Sequence, residues 1–234
     1  MKIPLNQTYQ SEQTFIDYPE IKALKEEYEK FCLEEVKWHK YGRSYDCALS
    51  LFQLDFKDKI VCELGARDSI FPSYLTKMAK EVYASDTFIG WGDLGDLDYW
   101  TELWKKFAYD PERLYCEFQD MTKLTYPNEF FDIVISFSAI EHIPNFGDVA
   151  AVKEMARVCK KGGHIIIGTE IKEEKTIWAS GSYFYSEEDV FKRLIEPSGC
   201  ELVGDYNFSY KNSEKTSFSG VDFTSCTFCL QKTL

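Results

Sequence analysis

Short apolar runs alternate with longer amphipathic stretches over most of the chain. Five runs rich in β-branched or aromatic residues predict strands over 59–64, 81–85, 114–118, 131–137 and 163–168. Helical periodicity between them predicts helices over 71–80, 149–159 and 186–196, the last with Ser186 as its N-cap and an acidic first turn. Strands that alternate with helices form parallel sheets with right-handed crossovers.

The C-terminal region departs from this alternation. The runs 200–204 and 225–231 are separated by a polar stretch without a helical pattern, so we expect them to pair antiparallel. The sequence therefore predicts an α/β, Rossmann-like, seven-stranded, mostly parallel sheet with an antiparallel C-terminal edge strand and helices on both faces. We expect residues 1–50 to form a helical lead-in or lid packed on the core, and residues 51–234 to form the main domain.

Charge and hydropathy exclude several classes of partner. The 234 residues include 27 Lys and Arg against 39 Asp and Glu, which gives a net charge of −12 and disfavours binding to nucleic acid. No run of about 18 apolar residues and no apolar leader near Met1 is present, so we expect neither a membrane span nor secretion. The expected location is cytoplasmic, and nothing in the sequence indicates the oligomeric state.

The eight cysteines do not have the spacing of a metal site. Cys226 and Cys229 form the only C-x-x-C, but they lie in a predicted strand. Residues three apart on a strand point to opposite faces. We therefore expect buried thiols and no metal.

Candidate chemistry follows the strands, because ligands of open α/β sheets bind beyond the carboxyl ends of the strands. Glu63 and Gly65 end the first strand, where the carboxylate accepts bonds from a cation or amine and the glycine allows a close approach. The G-x-G-x-x-G of a pyrophosphate site is missing. Asp86 follows the second strand, where it suits a ribose or serves only as a turn residue. Asp120 and Met121 follow the third strand and suit an adenine.

These motifs together resemble the class I S-adenosylmethionine-dependent methyltransferases. The resemblance covers about 41 to the C-terminus and rests on Glu63-x-Gly65, Asp86, Asp120-Met121, the strand 131–136 with Glu141-His142 after it, and Lys161-Gly162-Gly163. It implies that residues 51–234 are a methyltransferase domain with S-adenosylmethionine as cofactor. Glu63 and Gly65 would hold its methionine end, Asp86 its ribose, and Asp120 and the Met121 backbone its adenine.

Other residues beside these motifs complete the expected cofactor site: Ala66, Arg67, Thr87, Ser136 and Ser138. The sequence departs from the glycine-rich pattern of the family at Arg67 and Ser69. Arg67 either reaches a carboxylate or covers the loop at the surface.

The segment 37–49 resembles the aromatic, Arg-containing lead-in of methyltransferases of glycan and polysaccharide biosynthesis. The resemblance suggests O-methylation of a sugar hydroxyl, with Tyr41, Arg43, Trp91 and Tyr183 as substrate-binding candidates and Trp100, Trp104 and Tyr185 as further aromatic candidates. These aromatic residues are alternatively packing residues. A small-metabolite O- or N-methyltransferase and a non-catalytic subunit with this fold also stay open.

Glu141 and His142 are the catalytic candidates, because they follow the fourth strand, towards which the methyl group is expected to point. Imidazole suits a general base near neutral pH, although a histidine here can also simply bond a neighbouring loop. Glu141-His142 further resembles the E-x-x-E-H metal motif of ubiquinone-type O-methyltransferases, but Ser138 replaces the first acid. We predict no required metal.

Overall fold

The strands of the protein, seen in a computed structural model, form one large sheet and one hairpin. The structure describes residues 6–8, 54–67, 69–89, 96–213 and 215–233, together with positions 19, 22, 23, 26, 27 and 30. In this part of the chain the strands are β1 (Asn6–Thr8), β2 (Ile60–Leu64), β3 (Glu81–Asp86), β4 (Leu114–Phe118), β5 (Phe131–Phe137), β6 (Cys159–Ile171), β7 (Ile177–Ala179), β8 (Ser182–Phe184), β9 (Glu201–Leu202), β10 (Tyr206–Asn207), β11 (Thr216–Phe218) and β12 (Val221–Gln231).

The structure contains fewer helices than strands in its described part. In the described ranges from residue 54 onwards they are α1 (Phe71–Leu75), α2 (Leu97–Phe107), α3 (Gly147–Val158) and α4 (Glu187–Asp189), which continues as π-helical turns over Val190–Ile195. The described positions between 19 and 30 are also helical. Single 3₁₀ turns lie at Pro111–Arg113, Ile140–His142, Glu196–Ser198 and Tyr210–Asn212.

The sheet has the predicted mixed topology. Its order runs β4-β3-β2-β5-β6-β12, and the first five of these strands are parallel. Strand β12 runs antiparallel to β6, from Thr224 opposite Ile171 to Gln231 opposite His164. The predicted antiparallel pairing of the last two runs is confirmed by β9 and β12. Strand β12 is not the outermost, however, because β1 and β9 pair with its outer side and β10 pairs with β1.

Helices cover both faces of the sheet, as predicted. One face packs against α3 and the π-helical turns through residues such as Val134, Ile167 and Phe228. The other face packs against α1 and α2 through residues such as Val61 and Ile135. Cys226 belongs to the first cluster and Cys229 to the second, which confirms that they point to opposite faces.

Helix α2 was not among the predicted elements, although its signals are local. Asp96 caps it by accepting the Tyr99 amide at 3.1 Å, Asp98 lies in its first turn, and Lys105 and Lys106 lie in its last. The helix buries Trp100 and Trp104, which are 2% and 0% exposed. The two tryptophans are therefore core residues, and their interpretation as sugar platforms is wrong.

The predicted helices over 71–80 and 186–196 differ from the structure. Helix α1 ends at Leu75 and is followed by turns over 76–78; the amide of Lys80 then bonds the Lys59 carbonyl at 2.9 Å, where β3 begins. The second begins at the predicted cap Ser186, whose hydroxyl accepts the Asp189 amide, but most of it is π-helical.

The N-terminal lead-in falls largely outside the described residues. Within it, β1 pairs with β12, and the Glu27 carboxylate accepts a bond from the Tyr74 hydroxyl at 2.7 Å. None of the helices in the described ranges has the length and apolarity that crossing a bilayer needs.

Candidate functional site

The carboxyl ends of four neighbouring parallel strands meet at one edge of the sheet. Gly65 and Ala66, after β2, both donate backbone bonds to the Ser85 carbonyl of β3, at 2.8 and 3.0 Å. The Gln119 amide, after β4, donates to the Asp86 carbonyl at 3.0 Å. These bonds bring the predicted cofactor residues after β2, β3 and β4 together.

Gly65 is the point where three loops meet. Its φ of +73° lies in the left-handed region, and a Cβ there would lie 2.3 Å from Ala139 Cβ and 3.1 Å from Met121 Cε. Ala139 follows β5 and Met121 follows β4. Because the backbone is approached this closely, only glycine fits the position.

Asp86 ends β3 with its carboxylate directed at two loop amides. Oδ2 accepts the Arg67 amide at 3.3 Å and Oδ1 accepts the Phe88 amide at 2.7 Å. A carboxylate offers about four acceptor positions, so two hydroxyls can still be accepted. Asp86 and the neighbouring Thr87 are half-buried.

Glu63 lies in β2, two residues before Gly65, and is 0% exposed. The Ser69 hydroxyl donates to Glu63 Oε2 at 3.2 Å and accepts the Phe71 amide at 3.2 Å. Ser69, one of the departures from the glycine-rich pattern, thus links the carboxylate to the start of α1. Arg67, the other departure, is 6% exposed and Ala66 is 0% exposed, so the interpretation of Arg67 as a surface residue is wrong.

Asp120 is exposed near the start of the loop after β4. Its Oδ1 accepts bonds from the amide and the hydroxyl of Thr122, at 2.8 and 2.7 Å, which fixes the direction of the carboxylate. Gln119, which sequence reasoning missed, is buried, and its Nε2 bonds Thr125 Oγ1 at 2.8 Å. A buried amide that orients this loop has no local sequence signal.

The two predicted serines at the end of β5, Ser136 within the strand and Ser138 just after it, lie in different environments. Ser138 has a φ of +43° and donates its amide to the Gly168 carbonyl at 2.8 Å, so backbone strain lies at this edge. Ser136 is buried two residues earlier, and its hydroxyl has no hydrogen-bond partner in the structure. The hydroxyls of Thr169 and Thr224 are buried in the same way. Strand alternation puts all three on the sheet face that α3 covers.

The catalytic candidates lie in the 3₁₀ turn Ile140–His142. His142 Nδ1 lies 3.0 Å from the Gly181 carbonyl oxygen, in the turn of the hairpin β7–β8. A carbonyl only accepts, so Nδ1 donates, and the neutral ring has its acceptor nitrogen at Nε2. Glu141 is 0% exposed, so the protein encloses it.

An ionic cluster adjoins the hairpin. Arg193 donates from Nε and Nη2 to the two carboxylate oxygens of Asp148, at 2.8 and 2.9 Å, and the Tyr185 hydroxyl donates to Asp148 Oδ2 at 2.9 Å. Burial lowers the pKa of Arg193, but its bonds with Asp148 outweigh this and hold the pKa above its ordinary value. Burial, Asp148 and Glu141 raise the pKa of Tyr185 well above its ordinary value. Both tyrosine and arginine are therefore locked in their usual protonation states.

Tyr183, the substrate-binding candidate of the hairpin, is half-buried. The Arg193 guanidinium lies 4.4 Å from the centre of its ring, and the Trp178 ring lies 4.6 Å away. Three other candidates, Tyr41, Arg43 and Trp91, lie outside the described residues. Among the described residues, no group of three or more His, Cys, Asp or Glu side chains has the arrangement of a metal site.

The sheet order and the strand-end loops define the class I methyltransferase fold. Residues 62–167, somewhat less than half of the chain, match the model of a family described as methyltransferase domain. This segment contains Gly65, Asp86, Asp120 and His142. No curated protein matches the sequence.

Solved structures with this fold are similar to the chain at low identity. A protein titled as the [4+2]-cyclase SpnF is 13% identical with a TM-score of 0.63 and covers 100% of both chains. A methyltransferase from Aquifex aeolicus is 17% identical with a TM-score of 0.56, covering 90% of this chain and 98% of its own. A Burkholderia thailandensis 1,6-didemethyltoxoflavin-N1-methyltransferase with bound S-adenosylhomocysteine is 13% identical with a TM-score of 0.58, covering 93% and 90%. At these identities the likeness shows the fold.

The family match supports S-adenosylmethionine as the cofactor, and the residues at the strand ends fit it. Three carboxylates lie at or just after the ends of the neighbouring strands β2, β3 and β4, which suits a ligand with a sulfonium, an ammonium, ribose hydroxyls and an exocyclic amine. The close approach of Ala139 and Met121 to Gly65 shows that the loops after β4 and β5 pack tightly against the turn after β2.

Proposed function

We propose that the chain is an S-adenosylmethionine-dependent methyltransferase that methylates a hydroxyl group of a small acceptor. The observation that carries this is the placement of Glu63, Asp86 and Asp120 at three neighbouring strand ends, within the segment that matches a methyltransferase domain. Asp86 would accept the ribose hydroxyls and Asp120 the adenine amine. Glu63, fixed by Ser69, would attract the methionine ammonium.

The cofactor supplies an electrophilic methyl group on a sulfonium, so the chain has to align the acceptor and remove one proton. We assign the proton to His142 Nε2. The bond from Nδ1 to the Gly181 carbonyl at 3.0 Å keeps the ring in the tautomer whose Nε2 accepts. Once Nε2 is protonated, the same carbonyl stabilises the imidazolium. Glu141 is buried within the 3₁₀ turn that precedes His142, and we assign it an electrostatic role only.

The finer proposal for the acceptor is a sugar hydroxyl, as in glycan biosynthesis. Trp178 is 44% exposed on the hairpin that carries Gly181, and an exposed indole suits the apolar face of a sugar ring. Tyr41, Arg43 and Trp91 would contribute from the lead-in 1–50, which would act as a lid. The net charge of −12 favours such a small acceptor over nucleic acid.

Two other functions are supported by the names of similar structures. One of those proteins is titled as an N1-methyltransferase and another as a [4+2]-cyclase. Methylation of a nitrogen in a small metabolite is therefore the second candidate. A role without methyl transfer is the third.

Transfer of tritium from methyl-labelled S-adenosylmethionine to separate pools of nucleotide sugars, glycans and small metabolites tests the proposal. We expect label in a sugar pool, in a bond stable to alkali as an ether is. Label only in nitrogen-containing metabolites would replace the hydroxyl acceptor by the second candidate. Absence of label in every pool, with the cofactor bound, would favour the third.

A further inference from the structure

A buried ion pair supports the hairpin β7–β8 from behind. Asp148 lies in the first turn of α3 and is 0% exposed, whereas the Arg193 side chain comes from the π-helical turns and is 13% exposed. Two charge-assisted bonds of 2.8 and 2.9 Å join them in the bidentate geometry that arginine provides and lysine does not. The position of the guanidinium is therefore fixed by α3.

The fixed guanidinium lies between aromatic rings. Its carbon atom lies 4.4 Å from the centre of the Tyr183 ring and 4.6 Å from that of Phe146. Trp178 packs edge-to-face with Tyr183, with 4.6 Å between ring centres. Tyr183 and Trp178 are opposite residues of the hairpin, so the stack reaches both of its strands.

The far end of the same hairpin carries the carbonyl that bonds His142. Ser180 and Gly181 have φ values of +50° and +80°, typical of a tight two-residue hairpin turn. Only Ser182 separates Gly181 from Tyr183, so a shift of the Tyr183 ring moves the turn. The base of the hairpin is held separately, because the Tyr185 amide donates to Glu170 and its carbonyl accepts from Lys172.

We propose that Arg193 is a positioning residue: through Tyr183 it holds the hairpin turn at the place where the Gly181 carbonyl selects the Nδ1-protonated tautomer of His142. This inference rests on the proposed role of His142 as the base. Arg193 itself does not touch the reacting atoms. Its charge is already neutralised by Asp148, and its contribution is geometric.

The tautomer of His142 is measured directly by nitrogen NMR of protein labelled at histidine. The chain has three histidines, and the His142 signals are those lost in a His142→Gln variant. In the wild type we expect protonated Nδ1 and unprotonated Nε2. In Arg193→Lys, which keeps the charge but not the fork or the stacking, we expect a mixture of tautomers.

The matched control is Arg157→Lys. Arg157 also makes two bonds of 2.8 Å to one carboxylate, that of Glu154, but it lies at the other end of α3 and contacts the loop 124–128. Its replacement tests whether any loss of a paired arginine changes the His142 signals. Tyr183→Leu is a second variant that leaves the buried ion pair intact, and we expect it to shift the tautomer as Arg193→Lys does.

Turnover gives the second readout. We expect Arg193→Lys to lower kcat by about 10- to 100-fold with little change in the affinity for S-adenosylhomocysteine, because misplacement of a reacting group has effects of this order. An unchanged tautomer in both Arg193→Lys and Tyr183→Leu would overturn the inference, whatever happens to kcat. A shifted tautomer with unchanged kcat would support the positioning and instead contradict His142 as the base.

Discussion

Gly65 shows how a single backbone position defines the site. Its φ of +73° disfavours any side chain, and the atoms of Ala139 and Met121 occupy the space where a Cβ would lie. Gly162 has nearly the same φ, +75°, but nothing lies within 4 Å of its added Cβ. Substitution of Gly162 therefore tests the cost of the left-handed backbone alone, whereas substitution of Gly65 adds a steric clash.

Gly65→Ala should destabilise the fold by more than Gly162→Ala. Both variants carry a left-handed alanine, which costs about 1–3 kcal/mol, and only the first adds a clash. We expect Gly65→Ala also to weaken binding of S-adenosylhomocysteine at least about tenfold, which corresponds to about 1.4 kcal/mol of binding free energy. Thermal unfolding and calorimetry on both variants check this. Equal Tm values with equal affinities would contradict the role of Gly65 in bringing the loops of Met121 and Ala139 together.

His142 connects the proposed chemistry to the hairpin turn. His142→Gln keeps a side chain that can donate to Gly181 but lacks a basic nitrogen. We expect kcat to fall about 10²–10⁴-fold, as for other positioned bases, while cofactor affinity stays within a few-fold. Kinetics with the identified acceptor, together with a thermal melt, provide the measurement. Turnover within a few-fold of the wild type, with a lower Tm, would mean that His142 is structural.

Strand β1 contributes one side chain that connects three segments. Asn6 is 0% exposed; its amide nitrogen donates to the carbonyls of Val203 and Asp205, both at 3.1 Å, and its Oδ1 accepts the Cys229 amide at 2.8 Å. Every bond joins β1 to residues more than 190 positions away in sequence. Strand β1 therefore depends on a tertiary contact that its own sequence does not encode.

Asn6→Ala should lower the free energy of unfolding by about 2–4 kcal/mol, since three bonds are lost and their partners stay buried. Urea denaturation of the full chain measures this. Gln231→Ala, which removes one exposed bond to the Gly162 carbonyl, is the control and should cost under about 1 kcal/mol. A similar small loss in both variants would show that β1 is not held by Asn6.

Asp132 joins the starts of β2, β5 and β6. Its Oδ2 accepts the Ile60 amide at 2.8 Å and its Oδ1 pairs with Lys160 Nζ at 3.0 Å. Burial raises its pKa, but these bonds outweigh burial and bring the pKa below the ordinary value of 3.8. The folded state therefore binds this proton less readily than the unfolded chain does.

The sign of the pH dependence follows from this. The stabilisation by Asp132 is present above the unfolded pKa, near 3.8, and is lost as the pH falls through the lower folded pKa. We expect Asp132→Asn to be less stable than the wild type at pH 7 and the difference to shrink below about pH 4. Chemical denaturation at several pH values checks this, with the exposed Asp222→Asn as control. A difference independent of pH would contradict the assignment.

Strands β2 and β5 and the second half of β6 were predicted from the sequence because they are continuous apolar runs that are largely buried. The short strands β1, β10 and β11 of the same sheet were not predicted. Glu63, Asp86 and Asp120 are candidates because they lie at or just after the ends of predicted strands, and their contacts with the cofactor stay a prediction. The role of Arg193 was not predicted, because its partner Asp148 lies 45 positions away in sequence. Ser69 and Gln119 bond Glu63 and Thr125, each six positions away, but no local sequence pattern signals such bonds. Trp104 was misassigned because an amphipathic helix and an aromatic platform use the same residue types.

The electrostatic character of the molecule agrees with the proposed cofactor. A net charge of −12, with three carboxylates at the strand ends, attracts a cationic ligand. The central claim is that these strand ends form one binding site for S-adenosylmethionine, with Asp86 at the ribose. From the described residues Asp86 accepts two backbone bonds, and a carboxylate offers about four acceptor positions, so it has capacity for two hydroxyls.

Calorimetric titration of S-adenosylhomocysteine into the full chain tests this claim most directly. We predict micromolar affinity for the wild type and a loss of at least about tenfold for Asp86→Asn, which keeps one acceptor oxygen but loses charge-assisted bonds of about 1.5–3 kcal/mol. Asp110→Asn is the control, since Asp110 also accepts a backbone amide, that of Glu112 at 3.2 Å, but lies before β4 at the opposite edge; its affinity should stay within about twofold of the wild type, under 1.4 kcal/mol. No binding by the wild type, or full affinity in folded Asp86→Asn, would contradict the account.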